Sequence, residues 1–377
     1  MIIRENILST PELHSLTGTV WEKAAFFDIE TTGLGWRSSH IYLIGVLYCT
    51  QGKWVMRQWF LKHPFSEKEM LQSFSDFLAE REQTFLVDYN GDTFDIPYLC
   101  NKYTFYAMPV PAQLQKGGTL PHRDLMTALR PLKSRLPFSS LRLQEVEACL
   151  HADRTDASSG KDLIEVYQSY LLTGDEELAA QLFRHNYDDV RGLCSVLPLL
   201  RFRDFWNGAF EVSSLQDEGD YVLFELTSEK SFPLSYTLRG TCAVLTENVP
   251  EETSTEVCTL SFCGDKAHLT IPVSCGECKV FFEDYRNYYY LPGEDRAIHK
   301  SVGVFVDAAF RVQAKASNCY QRVQDRFLSL PSASSVSGIP CFCSKYKDKS
   351  AWVRVNDLIS GESDLQKQYV QSALTVF

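Results

Sequence analysis

Four short runs in the first quarter of the chain are apolar or alternate apolar with polar: Ala24–Ile29, Ile41–Tyr48, Trp54–Phe60 and Phe85–Tyr89. Their length and their aromatic and branched content predict strands. Between the third and the fourth, Met70, Phe74 and Leu78 recur at helical spacing behind Ser66 and Glu69, which have the form of a capping box, so an amphipathic helix is expected there. From Ser139 to Arg203 the apolar positions keep a helical period through residues 141–146, 163–170 and 178–200, with turn signals at Ser158–Gly160 and Thr173–Asp175. Three strands, a helix, a strand and then several helices make a mixed α/β layout. Past Asp204 alternation returns at Tyr221–Leu226, Cys258–Phe262 and His268–Val273, between proline, glycine and acidic turns. Two domains are therefore expected, residues 1–204 and a mostly β domain over 205–377, with Pro331–Gly338 as a polar loop.

The length of 377 residues supports that division, because one domain usually holds about 100 to 200. No run approaches the roughly 18 apolar residues of a membrane span, and Met1-Ile-Ile-Arg-Glu-Asn6 lacks a basic stretch followed by an apolar signal core. A soluble, cytoplasmic protein with no membrane partner is the expectation. Twelve cysteines lie scattered singly from Cys49 to Cys343, which reads as reduced thiols rather than a disulfide framework. The closest approach to zinc spacing, Cys275-x2-Cys278 with Cys341-x-Cys343, falls outside the usual patterns because one arm is C-x-C. A net charge of -11 argues against charge-driven coating of nucleic acid or of an anionic membrane. It does not argue against a nuclease, whose centre gathers carboxylates around divalent cations.

Candidate chemistry is acidic. Asp28 and Glu30 stand two apart at the end of a hydrophobic strand, so both point to one face. Two like charges so placed raise each other's pKa unless a cation lies between them. The Thr31-Thr32-Gly33-Leu34 turn follows, offering a hydroxyl and an approachable backbone beside that ion. Asn90-Gly-Asp-Thr-Phe94-Asp95 follows another strand and places Asp95 at the start of a helix whose apolar face includes Ile96 and Leu99. His185 and Asp189 are one helical turn apart and share a face. Each group also has a plain structural reading: an exposed strand end, a helix cap, a satisfied surface histidine beside a solvated Asp188-Asp189 pair. Their conjunction favours chemistry.

The set resembles the DEDD superfamily of 3'-5' exonucleases, which has a ribonuclease H-like fold: Asp28 and Glu30 match its first motif, Asn90 to Asp95 its second, His185 to Asp189 its third. Over roughly residues 20–200 it is similar to the bacterial YprB-like branch through Leu141–Glu147, Arg154-Thr-Asp156 with Gly160, and His185-Asn-Tyr187 with Asp189. The third motif departs from the usual Tyr-x3-Asp or His-x4-Asp, because here it is His-x3-Asp, which places an imidazole where the tyrosine class has a phenol.

The resemblance implies an α/β domain with a mixed sheet flanked by helices, and a metal-dependent 3'-5' exonuclease acting on DNA or RNA. Four carboxylates without a nearby cysteine suit Mg2+ or Mn2+. Two ions would lie about 4 Å apart, with Asp28 bridging them and Glu30, Asp95 and Asp189 completing their shells. His185, with an ordinary pKa of about 6.5, would orient or deprotonate the attacking water. Thr31, Thr32, Gly33, Leu34, Asn90 and Phe94 would hold the 3'-terminal nucleotide, with Leu34 or Phe94 against a base; a core role is the other reading of those two. His122-Arg-Asp124 has two readings, an outer-shell contact to the centre and a structural role, of which the structural one is favoured. The competing functional reading is a ribonuclease H-like module or scaffold that binds nucleic acid without turnover. In the second domain six basic residues stand against two acidic ones between Arg296 and Arg326, after the aromatic Phe281–Tyr290. That composition suits a single-strand platform or a solvated face over a tyrosine-rich core.

Overall fold

The computed structural model describes residues 1–8, 21–81, 84–115, 122–152, 160–245, 253–331 and 336–377. The Arg154–Asp156 segment, the Ser158-Ser159 turn and residues 332–335 of the polar loop lie outside the described residues. The chain divides into two compact units, Met1–Arg203 and Asp204–Phe377.

The first unit is built on β1 (Ile2–Leu8), β2 (Ala24–Thr31), β3 (Ile41–Thr50), β4 (Lys53–Phe60), β5 (Phe85–Asp88) and β6 (Arg123–Asp124). They form one sheet in the order β1-β4-β3-β2-β5-β6. Strands β2 to β4 run as an antiparallel meander, and β5 and β6 continue parallel to β2. Residues Ile41–Tyr48 of β3 are all buried, because helices cover both faces of the sheet and leave no solvent side. The helices are α1 (Glu67–Ala79), α2 (Asp95–Phe105), α3 (Leu125–Leu129), α4 (Leu143–Cys149), α5 (Gly160–Thr173) and α6 (Glu176–Val196). Aromatic rings lock these layers together: Tyr42 stacks on Tyr167 with centroids 4.3 Å apart, and Trp59 meets Phe74 and Phe77 edge-on. Strands β1 and β6 were not among the expected elements.

Helix α1 begins at Ser66 as its N-cap, but the serine side chain makes no capping hydrogen bond, so the expected capping box does not form. Glu67 instead turns inward. Its buried carboxylate accepts from the Ile41 amide at 2.7 Å, from Lys102 Nζ at 3.0 Å and from the Tyr106 hydroxyl at 2.8 Å, and meets His40 Nδ1 at 3.0 Å. This network ties α1 and α2 to the start of β3. Glu67→Ala leaves the buried Lys102 charge unpaired, so a loss of about 3–5 kcal/mol in urea unfolding is expected. A loss below about 1 kcal/mol would show that the pair is not structural.

The second unit has a five-stranded antiparallel sheet of β7 (Glu211–Asp217), β8 (Tyr221–Thr227), β9 (Tyr236–Leu245), β10 (Thr253–Cys263) and β11 (Lys266–Pro272), in the order β7-β8-β11-β10-β9. Two three-stranded sheets follow. One contains β12 (Ser274–Phe281), β16 (Tyr320–Leu330) and β17 (Ala351–Arg354); the other contains β13 (Tyr288–Leu291), β14 (Arg296–His299) and β15 (Val312–Gln313). The unit is mostly β, with a helix at Ser363–Ala373 packing Tyr369 onto Phe224. Three arginines of its basic stretch are paired with carboxylates. Arg296 pairs with Glu294, Arg322 with Glu277 at 2.8 Å and Arg326 with Asp217 at 2.6 Å. Phe282 and Tyr288 stack beside buried Ala297, Ala314 and Cys319, which makes these aromatics a small core. Among the described residues no helix is long and apolar enough to cross a membrane.

Candidate active site

Strand β2 carries Asp28 and Glu30 on one face, at the end where its pairing with β3 shifts between Glu30 and Thr31. Helix α6 carries His185 and Asp189, and α2 opens on Asp95. The three elements converge. His185 Nε2 lies 3.3 Å from Asp189 Oδ2 and 3.6 Å from Glu30 Oε1. One donor atom from each of Glu30, His185 and Asp189 lies within 4.8 Å of the other two, an arrangement able to hold a metal ion. The Tyr42 hydroxyl reaches Glu30 Oε2 at 3.5 Å from the neighbouring strand.

Asp95 is buried, and its carboxylate does not cap its own helix: the N-cap is Phe94, without a side-chain bond. It accepts instead from the Ile29 amide at 3.2 Å, which docks α2 between the two β2 carboxylates. Burial, and then the charge of Asp88, pushes Asp95 up to about 8. Burial also holds Asp28 well above the ordinary carboxylate range, with the charges of Glu30, Asp189 and Asp95 acting the same way. A protein that buries carboxylates within reach of each other's fields either protonates them or neutralises them with a cation.

The loops beside this centre are braced. Thr32 and His40 close the turn after β2, with the Thr32 amide donating to the His40 carbonyl and the His40 amide donating to the Thr32 hydroxyl, both at 2.9 Å. Thr31 donates its hydroxyl to the Gly33 carbonyl at 3.0 Å. Leu34 is 87% exposed at the tip of that turn, so a core role for it is excluded. Phe94 is half-buried against the core, with its ring 5.4 Å from Tyr98. Asn90 adopts a left-handed conformation at φ 69°, which asparagine tolerates, and its side-chain oxygen accepts from the Thr93 hydroxyl at 2.7 Å. The Asp124 carboxylate accepts from the Asn90 amide at 2.9 Å and from Thr127 at the start of α3, a structural role. His122 Nε2 hydrogen-bonds to buried Asp88, and its Nδ1 lies 3.2 Å from Asp92.

One neighbour of the site was not among the expected residues. Asn186, fully buried on α6, donates its amide to Asp28 Oδ2 at 3.1 Å. Asp188, solvated in the plain structural reading of this helix, is buried too.

The family comparison bears on the first unit. Residues 25–200 match a family model described as the RNase_H superfamily (RNase_H_2). The fold of this domain is ribonuclease H-like. Its central strand order and its antiparallel meander followed by two parallel strands agree with that match. A curated relative, the uncharacterized protein YprB of Bacillus subtilis (strain 168), is 30% identical over 187 residues. The match covers 48% of this chain and 43% of that protein, so the chain spans less than half the length of its relative. Two solved structures show weaker likeness. The family B DNA polymerase of the hyperthermophilic archaeon Pyrobaculum calidifontis shares 14% identity at a TM-score of 0.38, covering 74% of this chain and 39% of its own. The E. coli ExoI–ssDNA complex in its zinc-bound form shares 13% at 0.32, covering 55% and 54%.

Proposed function

We propose that the first domain is a metal-dependent nuclease of the DEDD type, hydrolysing phosphodiester bonds from the 3' end of DNA or RNA. The observation that carries this reading is the convergence of Asp28, Glu30, Asp95 and Asp189 from three separate elements, with His185 Nε2 between two of them. The donor set fits a hard divalent cation, being oxygen-rich with one imidazole and no thiolate. Asp28, Glu30, Asp95 and Asp189 would hold Mg2+ or Mn2+, which when bound in a two-ion arrangement lowers the pKa of water and stabilises charge on the attacking and leaving oxygens.

The protein's own groups do the rest. His185 presents Nε2 to the centre, 3.3 Å from Asp189 Oδ2 one turn on, and a ring held there orients the attacking water between the carboxylates. The exposed Leu34 offers an apolar face to the terminal base, and Phe94, half-buried, supports it from the second loop. Thr31, Thr32, Gly33 and Asn90 place backbone and side-chain polar groups beside the scissile end. The second domain has an accessory role in this reading.

The test is degradation of 3'- and 5'-labelled single-stranded DNA and RNA with Mg2+, Mn2+ or EDTA. Stepwise shortening from the 3' end, abolished by EDTA, is expected. Binding of these strands without cleavage under every condition would overturn the reading in favour of an inactive module.

A further inference from the structure

The geometry points to Asn186 as a positioning residue for Asp28, held in its working orientation by Gln58 and admitted to its place by the missing side chain at Gly45. The inference rests on the metal-centre reading above and adds to it three residues that bear no charge.

Three neighbouring strands set the frame. In the register of the sheet Asp28 lies opposite Gly45, and Gly45 lies opposite Gln58. Side chains at such positions share a face and stand about 5 Å apart from strand to strand. Asp28 and Gln58 therefore flank a position with no side chain. Asn186 descends from α6 into that notch: a Cβ built on Gly45 would lie 1.9 Å from Asn186 Oδ1. Asn186 and any side chain at position 45 cannot share the space.

The amide bridges the gap left by the glycine. Gln58 Nε2 donates to Asn186 Oδ1 at 2.9 Å, and Asn186 Nδ2 donates to Asp28 Oδ2 at 3.1 Å. Direction matters here. Because Gln58 Nε2 also donates to the Phe183 carbonyl at 2.9 Å, its nitrogen end is fixed by α6 itself. A donor on that side forces Asn186 to present its oxygen to Gln58 and so its NH2 to Asp28. The reversed amide would set NH2 against NH2 on one side and oxygen against carboxylate on the other. A half-buried carboxylate subject to the fields of Glu30, Asp95 and Asp189 is thereby held in one rotamer by a neutral donor, with its other oxygen unused by this bond. Groups that orient metal ligands typically carry 10–100-fold in metal affinity.

Asn186 could instead be a buried amide that only satisfies the core, and the two roles differ in one readout. Mn2+ affinity is measured by titration calorimetry on the full chain for wild type, Asn186→Leu and Gln58→Leu, with thermal melts in EDTA to record folding. Asn186→Leu keeps the number and branching of the side-chain heavy atoms and removes the donor, so Mn2+ binding about tenfold weaker or worse is expected. Affinity within about twofold of wild type, whatever the melting temperature, overturns the inference and leaves the metal centre standing. If Asn186→Leu does not fold, Gln58→Leu decides: weakened Mn2+ binding supports the chain of amides, and unchanged binding overturns it. Wild-type protein that binds no Mn2+ takes down the metal-centre reading and this inference with it.

Discussion

Asp28→Asn is expected to lower metal-dependent shortening of labelled nucleic acid by at least about 10^3-fold, a barrier increase of about 4 kcal/mol, and yet to raise the melting temperature of the metal-free protein. Both effects have one cause. The folded state resists the charge on Asp28, because the half-buried group is partly stripped of water and faces the charges of Glu30, Asp189 and Asp95. A cation answers that repulsion; without one the repulsion weakens the fold. The asparagine side chain keeps the shape and still accepts from Asn186, so packing is conserved. Glu30→Gln and Asp189→Asn should follow the same pattern. Activity above about a tenth of wild type in Asp28→Asn, or a destabilised metal-free variant, would refute the assignment of this carboxylate to a cation site.

The second large effect concerns pH. Asp95 holds its proton up to about 8 in the folded domain, whereas an aspartate in the unfolded chain releases it near 3.9. Between those values the folded state binds a proton that the unfolded chain has lost. Stability of the metal-free protein is therefore complete at the acid end of that window and declines as pH rises through it, by at most about 1.4 kcal/mol per pH unit for each such proton. Divalent cations compete for the same oxygens, so stabilisation by Mg2+ or Mn2+ grows with pH. Urea unfolding from pH 5 to 8 in EDTA should show the decline in wild type and a flatter profile in Asp95→Asn. Equal slopes in the two proteins would mean that Asp95 titrates normally. The overall pH profile contains every other titrating group, and the difference between the two proteins isolates this one.

Pattern carried the central sheet well. Strands β2 to β5 are hydrophobic enough to be legible because helices cover both of their faces, and α6 is legible because its apolar stripe runs for several turns. The elements that escaped are those whose pattern is weak for physical reasons. Strand β1 is an edge strand whose middle, Arg4-Glu5-Asn6, is polar, and β6 is two residues long. Three acidic positions and His185 could be singled out because two spacings, i,i+2 on a strand and i,i+4 on a helix, put charges on one face, and Asp95 because it opens a helix after a turn. Glu67 and Asn186 could not. Glu67 sits where an amphipathic helix normally turns a polar residue to water, and its partners Lys102, His40 and Tyr106 come from distant parts of the chain. Asn186 has meaning only beside Gly45 and Gln58, whose alignment is a property of strand register. The pairing of Arg322 and Arg326 in the second domain was illegible in the same way, because their partners Glu277 and Asp217 come from distant parts of the chain.

The hydrogen bond from Asn186 to Asp28 spans 158 residues of sequence. During synthesis at about 5–20 residues per second, the first strand of the centre is made many seconds before the helix that completes it. Until α6 has left the ribosome and docked, a nascent chain holds Asp28 and Glu30 without His185 or Asp189. On the proposed reading, the centre is therefore incomplete while its first strand and the turn after it pass the ribosome, and it is assembled only once residues 185–189 have emerged and docked.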